Sequence, residues 1–345
     1  MEAGSLSPTS PLRTSLAARL PDRLLRWVLF ALSASILALL VYFFFTLWDE
    51  SRPLLSQTGI FDFVFSNDWN PAKNLYGAWA LVVGTLITSA IALVLGVPVA
   101  VAIAIYIVEL APQRVKYPLT VLVELLAAVP SVVYGLWGVF VLIPNLKPAE
   151  QWFSDTFAFL PFVGGAVSGP NYFIAGLILA IMILPIVSAI SREVISTVPV
   201  ELKEGALALG ATRWEMIRMG VLPYSWGGIA GASMLGLGRA LGETIAVVLV
   251  IGNAPQIGET IFSQGYTLAA VIANEFGEAA NDPEHKAALI ACGLVLFLLT
   301  LLVNFLARWI VTRSERRRHS GAITGAADAA EQRAAFGVPQ PQTEA

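Results

Sequence analysis

The chain is short of charge. Asp, Glu, Lys and Arg make up 13% of its 345 residues, against about a quarter in a soluble domain, so it is not built to sit in water. Histidine is scarce as well: His285 and His319 are too few and too far apart for a metal site. The one cysteine, Cys292, can form no internal disulfide and lies in an apolar run, which leaves the redox compartment open. None of the five lysines follows a glycine, so the glycine-rich loop that grips a nucleotide phosphate ahead of Lys-Ser/Thr is missing. If ATP drives this protein, another chain hydrolyses it. No cofactor is expected on this one.

What the chain has instead is apolar length. It is 57% hydrophobic with a mean hydropathy of +0.73, and six runs reach the roughly 20 residues needed to cross a bilayer. They span 27–47, 78–107, 117–144, 172–190, 223–251 and 287–311, the third interrupted by Pro130. In lipid every backbone N–H and C=O needs an internal partner, so each run must be helical. The first run exceeds a signal peptide's apolar core and has no small-x-small cleavage site before Asp49, so it reads as a retained helix. The expected fold is an all-α, six-helix polytopic membrane protein.

The basic residues orient it. With the N-terminus in the cytoplasm, that side collects sixteen Lys and Arg residues, among them Arg114, Lys116, Arg192, Lys203, Arg213, Arg218, Arg308 and Arg313. The other side receives four: Arg52, Lys73, Lys147 and Lys286. That bias puts both termini in the cytoplasm. Residues 1–25 and the segment after a basic stretch in 313–345 lack hydrophobic period and read as disordered, leaving 26–312 as the membrane domain. The outer loops are expected at 48–77, 145–171 and 252–286, with a net acidic balance that repels free anions.

The longest connection on the cytoplasmic side, residues 191–222, holds Glu204-Gly205-Ala206, three residues, Gly210, eleven residues, then Leu222-Pro223. Its composition predicts a short helix over 202–209, a glycine stop and a second helix over 212–219. A compact helix–glycine–helix element suits a groove in a soluble partner. This segment resembles the Glu-Ala-Ala loop of permeases in bacterial ABC importers, which docks in a cleft of the ATPase subunit. Gly205 departs from the first alanine of that pattern and Gly220 from the isoleucine usual before Leu-Pro. The plain alternative is a structural inter-helix loop with a coincidental glycine.

In the fifth helix Arg239 and Glu243 are four apart, hence on one face, a turn from each other. Charges at that depth cost several kcal/mol unless they face protein or water. Gly227, Gly228, Gly231, Gly238 and Gly242 around them suit close helix approach. The alternative is a buried bridge that only fixes packing. In the third run Glu124, Ala128, Ser131, Gly135 and Gly138 recur at helical spacing and predict one small, polar stripe, against the alternative that Glu124 merely snorkels.

The blocks from Glu124 to Gly138 and from Gly236 to Thr244, with Ile251-Gly252-Asn253 and Ala273-Asn274-Glu275-Phe276, resemble the C-type permease subunit of the phosphate-specific ABC importer over residues 25–312. That resemblance implies a second permease, a dimeric ATPase that binds ATP and Mg, an extracytoplasmic phosphate-binding protein, and a bacterial inner-membrane location. Arg239, Glu243, Glu124 and Ser131 then become candidates for the substrate path, since a guanidinium fork suits phosphate oxygens. Glu204, Gly205, Ala206, Gly210, Leu222 and Pro223 become candidates for ATPase coupling. A permease for sulfate or molybdate, and a stand-alone secondary transporter, stay open as alternatives. No nucleophile–histidine pairing suggests an enzyme, and no nucleic-acid partner is expected.

Overall fold

A computed structural model describes residues 16–335, with side chains described over 24–313. Thirteen α-helices follow in order among them. They are α1 (Leu16–Thr58), α2 (Ile60–Phe65), α3 (Trp79–Ile105), α4 (Gln113–Ala128), α5 (Ser131–Trp137), α6 (Ile143–Thr156) and α7 (Tyr172–Ser196), then α8 (Val200–Ala208), α9 (Arg213–Met216), α10 (Leu222–Gly242), α11 (Ile245–Val250), α12 (Leu268–Glu275) and α13 (Pro283–Ala335). No β-strand occurs among the described residues; Asn70–Leu75 and Gly252–Gly265 form isolated bridges. The all-α expectation holds. The chain divides into two compact units, Met1–Glu50 and Ser51–Ala345, and in the first the described chain is helix throughout.

Five helical stretches are long and apolar enough to cross a bilayer: Leu24–Thr58, Trp79–Leu110, Ser131–Thr156, Tyr172–Ser196 and Pro283–Arg313. Two of the six expected spans differ in an instructive way. The third run breaks at Val129–Pro130, as the proline implies, and the crossing stretch begins after the break and runs on to Thr156. The second outer loop therefore starts near residue 157 instead of 145. The fifth run is not one helix: α10 stops at Gly242 and α11 starts at Ile245. Of the segments expected to lack regular structure, residues 1–15 and 336–345 lie outside the described ones, while 16–25 and 319–335 are helical.

The core of the second unit is α3 against α7, with α10 packed on both. Burial of Leu81, Ala92, Ile174, Ile178 and Ile183 gains little from leaving water here, because lipid is as apolar as leucine. Close packing holds such helices together instead. Hydroxyls in the span are turned inward: Thr85 and Thr88 donate to the carbonyls of Leu81 and Gly84 at 2.7 and 2.9 Å. The Asn171 side chain caps α7 by accepting from the Ile174 amide at 2.8 Å.

Two loops close one end of this core. Backbone hydrogen bonds join residues 162–173 to 250–263, including Ser168 N–H to the Phe262 carbonyl (3.0 Å), Asn171 N–H to Val250 (3.0 Å) and Ile261 N–H to Phe162 (2.9 Å). The Thr85 hydroxyl oxygen accepts from the Leu268 amide at 3.0 Å and ties this lid to α3. Beside it, Trp69 Nε1 and a ring nitrogen of His285 both meet Glu275 Oε2 at 3.0 Å, and Tyr76 stacks on the His285 ring. Burial and the surrounding carboxylates push the Tyr76 phenol up to about 12.

Gly265 lies where a Cβ would overlap the Tyr172 ring, whereas a Cβ at Gly238 meets nothing within 4 Å. Gly265→Ala is therefore expected to destabilise the isolated, detergent-solubilised chain by about 1–3 kcal/mol. Gly238→Ala should be neutral or stabilising by up to about 1 kcal/mol. Thermal melts of the two variants check this, and equal melting would overturn it.

Candidate functional site

The site grows out of the two breaks. Pro130 has no N–H to donate and biases the residue before it to extended backbone; Val129 adopts φ −70, ψ 126. A helix broken inside a bilayer frees carbonyls that lipid cannot solvate. Here the Tyr134 hydroxyl reaches back across the break and donates to the Leu126 carbonyl at 2.8 Å. The second break is built alike. Gly238 and Gly242 weaken the end of α10, Glu243 turns extended (φ −70, ψ 132), and the Thr244 hydroxyl donates to the Gly242 carbonyl at 3.2 Å.

The two breaks are neighbours. α5 packs on α11, where Gly135 faces Ala246 and Leu249, and Gly138 faces Val250 and the α7 residue Ile178. Arg239 lies within electrostatic reach of Tyr134. It occupies the last turn of α10, where a cation meets the negative end of the helix dipole, and its side chain is exposed. Ser131, half-buried, is the first residue of the helix that leaves the other break. Arg239 thus ends one half-helix and Ser131 begins another, and the helices that leave the two breaks, α5 and α11, pack together.

Two sequence expectations need correcting. Arg239 and Glu243 do not share a helical face, because the helix ends between them; no ion pair joins them among the described residues. The stripe from Glu124 to Gly138 is not one face either. The Pro130 break separates Glu124 and Ala128 from Ser131, Gly135 and Gly138, and the two glycines seat neighbouring helices. Glu124 is not gathered with Arg239. Its carboxylate accepts from Arg192 of α7 at 3.0 Å and stays 57% exposed.

The 191–222 segment folds as the spacing implies. α8 ends at Ala208, Gly210 takes φ +85, which strains any residue with a Cβ, and Thr212 opens α9 with a capping box. The two hydrogen bonds from Thr212 hold the Glu215 carboxyl below its usual range. A π turn, Ile217–Val221, carries α9 directly into Leu222-Pro223 and α10. Beneath the element lies an apolar cluster of Ala104, Ile105, Ile195, Val198, Met216, Ile217, Val221 and Ile229, with Ala206 and Leu222 packed against it. Glu204, Gly205 and Gly210 are exposed.

Sequence reasoning missed three features here. Lys203 Nζ donates to Glu109 Oε1 at 2.6 Å, with side chains 18% and 8% exposed, and so fastens α8 to the end of α3. Leu209 and Trp214 stand 91% and 63% exposed at the tip. An apolar residue directly before a glycine stop was a signal available for Leu209. The pairing of Lys203 with Glu109 joins residues 94 apart in sequence and had no local signal.

Comparison with known proteins agrees with this architecture. The model of the family described as binding-protein-dependent transport system inner membrane component matches residues 96–316. A phosphate transport system permease protein PstC of Pasteurella multocida is 45% identical over 293 residues, 84% of this chain and 88% of that one. A PstC 2 protein of Mycobacterium bovis is 48% identical over 240 residues, 68% of this chain and 74% of its own. A solved bacterial ABC transporter involved in import of the acidic polysaccharide alginate shares the fold at 18% identity and a TM-score of 0.52, covering 86% of this chain and 99% of that one. The chain belongs to the binding-protein-dependent inner membrane permease family and is an integral, multi-pass membrane protein.

Lys203→Met leaves the buried Glu109 carboxylate without its partner and is expected to cost about 3–5 kcal/mol. Lys203→Met with Glu109→Leu should recover most of that loss. Melting temperatures of the single and double variants decide it; a single variant as stable as the parent would remove the pair from the account.

Proposed function

We propose that this family member is the membrane-spanning permease subunit of an ATP-driven importer that moves inorganic phosphate into the cell. Relatives that are 42–48% identical over most of the chain and carry the name of phosphate transport permeases support the cargo. The reading sets the chain in the bacterial inner membrane, both termini cytoplasmic, with 26–312 as the membrane domain between cytoplasmic tails. A second permease completes the pore, a dimeric ATPase chain binds ATP and Mg, and an extracytoplasmic binding protein delivers phosphate past the acidic outer loops. This chain transports and holds no cofactor itself.

The observation that carries the mechanism is the meeting of two broken spans beside Arg239. Discontinuous membrane helices are where transporters hold ions at mid-depth, because the loose backbone ends line a cavity. Arg239 holds the phosphate dianion by paired N–H···O bonds, and the Ser131 hydroxyl and the start of its helix add donors. Glu243, freed from the helix, accepts a hydrogen bond from the P–OH of hydrogen phosphate, a donor that sulfate lacks at neutral pH. The breaks are also hinges: the half-helices α4 and α10 on the coupling side tilt against α5 and α11 as the path opens to alternate sides. Glu124, paired with Arg192 when the path is closed to it, lines the coupling-side exit.

The coupling element takes the force. Glu204, Gly205 and Gly210 face the ATPase with Leu209 and Trp214 as its apolar anchor, while Ala206 and Leu222 seat the element on the cluster beneath and Pro223 starts α10. Rigid connection of α9 to α10 carries the motion to Arg239.

Arg239→Gln at parental membrane levels is expected to lower radiolabelled phosphate uptake by phosphate-starved cells about tenfold or more, with sulfate uptake unaffected. Normal phosphate uptake would refute the role, and uptake of sulfate instead of phosphate by the parent would favour the related oxyanion permease. Leu209→Asp should abolish co-purification of the ATPase without changing the melting of the isolated chain; Glu204→Lys with Gly210→Pro should abolish it too, with a lower melting temperature because φ +85 at Gly210 excludes proline. Parental yield of the complex from both variants would sink the coupling assignment.

A further inference from the structure

An apolar cavity of ≈ 560 Å³ opens between α3, α10 and α13, walled by Val97 and Pro98, Trp226 and Met234, and Ala307 and Ile310. The one hydroxyl in its lining, Ser233, donates to the Ile229 carbonyl at 2.8 Å and offers nothing to an occupant. The lining demands hydrocarbon.

The side of α10 on which it lies narrows the occupant. At about 3.6 residues per turn, Gly231, Leu235, Gly238 and Gly242 share one face of α10 with Arg239 at its edge. Leu222, Trp226, Ala230, Ser233 and Leu237 share the opposite face, and these line the cavity. A second permease that closes a path around Arg239 covers the first face and leaves the second turned to lipid.

Charge at one end identifies the ligand further. Arg218 lies one turn before Leu222, Arg308 one turn before Val311, and Arg313 one turn beyond Ile310. All three are exposed, and none has an ion pair among the described residues. Arg313 is held over the Trp309 ring at 5.1 Å, as a cation is at a membrane interface. Basic clusters between membrane helices are where anionic headgroups bind. We propose that this cavity binds one acyl chain of an anionic phospholipid, its phosphate held by Arg218, Arg308 and Arg313 at the mouth next to the coupling element.

The lipid bound there bridges α3, α10 and α13 at the base of the moving helix and would make transport depend on anionic lipid. The proposal rests on the permease reading only for the side that faces lipid, and its test does not involve phosphate. The complete transporter, purified with its partner chains, is titrated with dioleoyl phosphatidylglycerol and dioleoyl phosphatidylcholine while native mass spectrometry counts bound lipids. One phosphatidylglycerol per copy of this chain should persist where phosphatidylcholine does not. Ala230→Trp should abolish that molecule by filling the cavity. Arg308→Gln with Arg313→Gln should weaken it about tenfold or more and erase the headgroup preference without touching the apolar walls. Equal retention of both lipids by the parent, or undiminished phosphatidylglycerol on the arginine variant, would overturn the proposal. So would a photo-reactive side chain at Met234 that cross-links to a partner protein and not to lipid.

Discussion

A bilayer gives the backbone no hydrogen bonds, and everything distinctive about this chain follows from how it breaks its helices anyway. Two spans are interrupted, at Val129–Pro130 and at Glu243–Thr244, where continuous helix would be the low-energy choice. Both interruptions are repaired locally, by the Tyr134 hydroxyl on the Leu126 carbonyl and the Thr244 hydroxyl on the Gly242 carbonyl. Each repair spares one backbone carbonyl. Beyond the breaks the chain continues as α5 and α11, which pack on each other, and Arg239 ends the half-helix before the second break.

The same economy governs the 191–222 segment. A π turn holds one more residue than the helix around it, and such turns gather at functional positions. Here one joins α9 to α10 and another, Tyr106–Leu110, ends α3 beside it. Between them lie the apolar cluster and the Lys203–Glu109 pair. The element is therefore fixed to its own membrane domain by burial and left bare on its outer side, where Leu209 and Trp214 are exposed. Rigidity inward with an apolar tip outward is what a force-transmitting contact requires.

Much of this was readable from residue order. Apolar length marked the spans, the distribution of arginine suggested their direction, Pro130 marked one break, and Gly210 marked the turn that takes φ +85. The second break was not readable in the same way. Nothing in Gly-Arg-Ala-Leu-Gly-Glu-Thr forbids helix, since glycine weakens a helix without ending it. The spacing of Arg239 and Glu243 even favours a helical pair. Likewise Glu124 looked like part of a polar stripe because its distant partner, Arg192, is 68 residues away.

Sequence by itself determined that this is a multi-span helical protein with a helix–glycine–helix connection and charge where hydrocarbon excludes it. Those properties are set by local composition and by transfer energies that act residue by residue. Only the tertiary structure decided where the fifth span ends and what Gly135 and Gly138 are for. It also decided which charges are paired and which face of α10 lines an apolar cavity. Each of these turns on a contact between residues far apart in the chain, and the energy of such a contact does not exist until the helices have met.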